Sequence, residues 1–178
     1  YLQTHQSLQL LLIRNLMFFL KGYLDKYMPK VKGCTYVQFE ASHLDNFEAL
    51  EFYGSKKMSD KDRKQHIVRQ SMVGDTVSAI VNGDVVAIFG VYIMWPGVAE
   101  AWSLFDPKAK RYKIAMSKGA IAFFDIITIL NGLHRLQITV KKNDKRAVAW
   151  AIFLGFISEG ILKGYSADQE DYYMMRRK

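Results

Sequence analysis

Apolar residues recur at strand and helix periods from Cys34 to the end of the chain, and turn residues separate the runs. CTYVQFE (34–40) is short, rich in β-formers and reads as a strand. Ser42 is placed to cap a helix, with Asp45 three residues on, and Leu44, Phe47 and Leu50 follow at helical spacing before Gly54. Ser59 opens a second, charged helix over 60–72 with Ile67, Val68 and Met72 on its inner side, closed by Gly74. Thr76–Val81 and Val85–Met94 read as strands joined by Asn82-Gly83-Asp84, whose Asn-Gly pair is a tight-hairpin signal. Beyond Trp95-Pro96-Gly97, VAEAWSLF (98–105) adds a third strand to the meander. Asp106-Pro107 stops it, and the basic run KAKRYK (108–113) leads into a helix from about Tyr112 to Leu130, apolar along Ile114, Ile121, Phe124 and Ile127.

After Asn131-Gly132, Leu136–Val140 alternates as a strand, and Asn143 or Asp144 caps a helix reaching Leu154. Gly155 suits a left-handed C-cap, Phe156-Ile157 re-enters the sheet, and Asp171–Arg176 is the last strand. The order predicts an α/β (α+β) fold: a mixed central sheet of about six to seven strands with helices on both faces. No internal repeat or low-complexity stretch interrupts it.

Pro29–Gly33 reads as a break, which separates an N-terminal extension (1–33) from the domain (34–178). The apolar run Leu8–Leu20 carries Gln9, Arg14 and Asn15, too short and too polar for a membrane span, and no small-residue cleavage site marks a signal peptide. The sequence opens on Tyr1, so two readings of the extension stand. It is an amphipathic helix covering the domain, or it is upstream translation with Met28 as the natural start.

Composition adds little to the fold and more to the partners. The length of 178 residues suits one domain with a full core. A net charge of +8 favours anionic partners such as a phosphorylated cofactor, nucleic acid or a membrane surface, or serves solubility alone. The single cysteine, Cys34, cannot form an internal disulfide and points to a reducing, cytoplasmic setting. His5, His43, His66 and His134 lack ligand spacing, so no metal is expected.

The stretch Asn143-Asp-Lys-Arg-Ala147-Val-Ala-Trp150-Ala-Ile-Phe-Leu154-Gly155-Phe156, followed by Glu159-Gly160 and the late run DYYM (171–174), resembles the GCN5-related N-acetyltransferase (GNAT) superfamily over Cys34 to the end. Any α/β helix-to-strand corner can share part of that pattern. The resemblance implies acetyl transfer from acetyl-CoA to a small-molecule or protein amine. Glu100 is the implied general base, and strand alternation also allows it a solvent-facing place with no role; the sequence leans slightly to the latter. The backbone of Ser103, Leu104 and Phe105 is implied to pair with the pantetheine arm. The implied pyrophosphate loop spans Lys110 to Ala115, with Lys110 and Arg111 as cations and Lys113 where the first glycine belongs. Lys113 either narrows the cradle or adds charge beside the phosphates. Asn143 completes the implied cofactor contacts. The usual tyrosine acid falls on Ala151, so the acid is missing unless Tyr165, Tyr172 or Tyr173 supplies it. The family's acceptor site is implied to lie over about Ser42 to Met72.

A narrower pattern, Gly83-Asp-Val-Val-Ala87-Ile-Phe89-Gly90-Val91 with Gly97-Val98, Trp102 and Trp150, resembles acetyltransferase-like proteins of tailed phages, including internal virion proteins. It implies an alternative: a catalytically decayed GNAT-fold protein with a structural or host-directed role, in a host cytoplasm or virion. Nucleic-acid binding through the basic turn and Arg176-Arg177-Lys178 is the least favoured partner reading. Homo-oligomerisation is left open.

Overall fold

The computed structural model describes residues 21–48 and 58–178. Seven strands form one sheet in the order β1-β2-β3-β4-β5-β7-β6. They are β1 (Cys34–Gln38), β2 (Thr76–Val81), β3 (Asp84–Trp95), β4 (Val98–Phe105), β5 (Arg135–Lys141), β6 (Phe156–Leu162) and β7 (Tyr172–Arg177). The β2–β3 turn places Asn82 at φ 52° and Gly83 at φ 85°, the left-handed pair that matches strand twist in a two-residue hairpin. All pairings are antiparallel except β4–β5, where a helical crossover intervenes.

Helices cover both faces. On one lie α1 (21–27), α3 (Lys113–Leu130) and α4 (Lys145–Phe153), packed around Val77, Phe89, Phe123 and Phe156. Leu24 and Met28 are buried in this cluster, so residues 21–28 share the core with the domain that follows. On the other lie α2 (Asp60–Ser71) and a 3-10 turn, Ala41–Leu44, around Phe39, Phe47, Ile67, Ile88 and Leu104. Gly90 of β3 sits beneath the Trp102 indole of β4; a Cβ there would lie 2.3 Å from the ring.

Three local expectations change, and one open choice is decided. The helix expected from Ser42 is the short 3-10 turn, capped two residues earlier by Glu40, whose N–H donates to His43 Nδ1 at 3.1 Å. Leu44 and Phe47 are buried as expected, while Leu50 and Gly54 lie outside the described residues. Met72 is 76% exposed because α2 ends at Ser71. Ile114 is 73% exposed: the inner stripe of α3 runs through Met116, Ala120, Phe123 and Ile127, and a helix turns residue 114 away from it. Of the two caps offered for α4, Asn143 or Asp144, the structure takes Asp144; its carboxylate accepts the Arg146 N–H at 3.1 Å and the Ala147 N–H at 3.0 Å.

Candidate active site

β4 and β5 pair over only three positions, Val98 with Arg135, Ala99 with Leu136 and Glu100 with Gln137. Beyond Glu100, β4 continues along β3 to Phe105, while β5 continues along β7 to Lys141. The two strands therefore part at Glu100. The edge of β4 over 101–105 that faces β5 carries no strand among the described residues, so its backbone groups are open to an extended ligand.

Glu100 stands at the fork. The solvent-facing reading of this residue is overturned, because it is only 7% exposed. Its cross-strand neighbours are Tyr92 on β3 and Gln137 on β5, so polar side chains close over it from both sides. Oε2 accepts from Tyr92 OH at 3.2 Å and Gln137 Nε2 at 3.2 Å, and Oε1 accepts from Thr139 Oγ1 at 3.3 Å. Gln137 is oriented in turn by Arg135, whose Nε donates to Oε1 at 2.8 Å, and Arg135 is anchored by two bonds to Glu159. Burial, with the Glu100 charge behind it, pushes the Tyr92 hydroxyl up to about 12. It therefore stays protonated and donates at neutral pH. Tyr92, Gln137 and Thr139 were missed from sequence. Gln137 and Thr139 alternate on one side of β5, but only strand register shows which carboxylate they meet.

The segment between β4 and α3 is wound tightly. Asp106 is 2% exposed and caps a 3-10 helix, Pro107–Tyr112, that runs straight into α3. One Asp106 oxygen accepts the Lys108 N–H at 2.8 Å and the other the Glu48 N–H at 3.1 Å. Lys113 has φ −52° and ψ −41°, helical values open to any residue, which explains how lysine stands where the family pattern has glycine. Lys110, Arg111 and Lys113 are exposed. Ala115 is buried, and its carbonyl accepts from Tyr36 OH at 2.6 Å. Because β4 and β5 are parallel, α3 and α4 begin at the same end of the sheet. Neither has an acidic residue in its first turn, and Lys145 and Arg146 are exposed beside Asn143. Cations at a helix N-terminus oppose the helix dipole; five of them stand there against the exposed carboxylate of Asp144, so the rim is net positive and suited to an anion.

Between these helices, Phe105 meets Trp150 edge-to-face at 5.0 Å, and Trp150 Nε1 donates to Ser117 Oγ at 3.0 Å. Ser103 is half-buried on the same side of β4 as Phe105, while Leu104 packs into the core of the opposite face. Ala151 is buried, so α4 brings no phenol to the fork. No helix among the described residues is long and apolar enough to cross a membrane.

No family model and no curated protein matches the sequence. The three-dimensional likeness is extensive. A ribosomal L7/L12 alpha-N-protein acetyltransferase, RimL, in complex with coenzyme A superposes with TM-score 0.66 at 14% identity, over 84% of this chain and 96% of that one. The ribosomal-protein-S18-alanine N-acetyltransferase from Escherichia coli gives 0.63 at 20% identity, over 81% and 92%. A GNAT-family acetyltransferase from Streptococcus pneumoniae gives 0.59 at 16%, over 81% and 98%. The chain has the GNAT acetyltransferase fold.

Proposed function

We propose that this protein transfers an acetyl group from acetyl-CoA to an amine, with Glu100 as the general base. The observation that carries the reading is a buried carboxylate, held by three donors, at the point where β4 and β5 separate. The residues present fit acetyl-CoA by charge rather than by a glycine cradle. Lys110, Arg111 and Lys113, with Lys145 and Arg146 opposite, meet phosphate charge; the backbone of Ser103, Leu104 and Phe105 offers an edge to the pantetheine arm; Ala115 anchors the helix start; Asn143 lies at the rim. Acetyl-CoA supplies an activated acyl carbon whose bond to sulfur breaks as a bond to nitrogen forms. Glu100 takes a proton from the acceptor ammonium, which frees the nitrogen lone pair. Tyr92, Gln137 and Thr139 hold the carboxylate while it does so. The departing thiolate takes its proton from solvent, since Ala151 offers none.

Release of free thiol from acetyl-CoA, followed across a panel of primary amines, tests this. Turnover is expected for at least one amine, and Glu100→Gln lowers kcat by roughly a hundredfold or more. Equal turnover in the variant would remove Glu100 from the chemistry. A second reading, a silent GNAT-fold protein with a structural or host-directed role, is favoured by buried Ala151 and by Lys113; absence of turnover on every amine supports it. The structural likenesses lend no support to the narrower phage resemblance.

A further inference from the structure

Glu100 is buried, yet its donors Tyr92, Gln137 and Thr139 are all neutral. By contrast, Glu159 pairs with Arg135 and Arg176, Glu170 with Lys141, and Asp171 with Lys163. No lysine or arginine among the described residues forms an ion pair with Glu100. A buried carboxylate without a counter-ion is costly, and a cation delivered by a ligand relieves that cost.

The surroundings say what carries the cation. Strand register puts Thr139 opposite Met174 and Lys141 opposite Tyr172, so Tyr172 stands on the Glu100 side of the sheet. Tyr165, from the β6–β7 connection, is 46% exposed and packs on Tyr172 with ring centroids 5.4 Å apart. Tyr92 beside the carboxylate and Tyr165, backed by the buried Tyr172, thus give this side of the sheet aromatic surface, which binds flat apolar groups and the face of a cation.

We infer that the acceptor is a primary amine on an aromatic body, its ammonium at Glu100 and its ring against Tyr92 and Tyr165. As to reaction, this rests on the acetyl-transfer reading; as to binding, it stands without it. The β6–β7 connection then selects the acceptor, alongside the first two helices that the family resemblance implies.

Calorimetric titration of the full chain with phenethylamine, phenethyl alcohol and spermidine, without acetyl-CoA, separates the possibilities. Phenethylamine is expected to bind at least roughly tenfold more tightly than either competitor, and Glu100→Gln and Tyr165→Ala each weaken it roughly tenfold. Tyr165→Phe, which keeps the ring, binds like the parent. An alcohol or a spermidine bound as tightly as phenethylamine overturns the inference. So does no phenethylamine binding up to about 10 mM, the range of weak small-ligand affinity. Phenethylamine binding with no acetyl transfer would end the enzymatic reading and leave this one standing; acetyl transfer to other amines with phenethylamine unbound would do the reverse.

Discussion

Tyr92 and Glu100 face each other across β3 and β4, and their contact sets a measurable property of both states of the chain. The folded Tyr92 hydroxyl is pushed up to about 12 by burial and by the Glu100 charge. An unfolded tyrosine ionises near 10. Between those values the unfolded chain sheds a proton that the folded chain keeps, so stability is full below about pH 10 and falls as pH rises toward about 12. In Tyr92→Phe the fall in melting temperature across that window should be shallower than in the parent. An identical slope would mean that Tyr92 is not held in this way. Glu100 illustrates how far a residue can be read from sequence. Its type and its place in a strand were visible, and its burial was not, because burial depends on Tyr92 and Gln137 arriving from strands that lie 8 and 37 positions away.

At the scale of elements, the turn and cap residues carried most of the legible information. Asn82-Gly83 marked its hairpin, Ser59 its helix and Gly155 its reversal at φ 90°. Where two neighbours offered the same chemistry, sequence could not choose, as with Asn143 and Asp144. The structure places the capping oxygen on Asp144, which accepts from two N–H groups of α4. Asp144→Ala should therefore cost about 1 kcal/mol in urea unfolding. Asn143→Ala, at an exposed turn position, should change stability by less than about 0.5 kcal/mol. The reverse ranking would return the cap to Asn143. Ile114 and Met72 were misplaced for a related reason: apolar identity at an element's end does not say whether the last turn still faces the core.

Across the whole molecule, the order of elements was enough to predict a mixed sheet with helices on both faces, although no family model matches the sequence. The fork between β4 and β5 was expected only through the family resemblance, since nothing in either strand announces that pairing stops after three positions. The fork and the basic rim of α3 and α4 together define the central claim, that acetyl-CoA binds here through charge instead of a glycine cradle. Calorimetry of the full chain with acetyl-CoA at low and high salt tests it most directly. One molecule should bind per chain, more weakly as salt screens the rim, and Lys113→Glu should weaken binding roughly tenfold. No heat of binding at millimolar acetyl-CoA, or an affinity indifferent to both salt and Lys113→Glu, would contradict it.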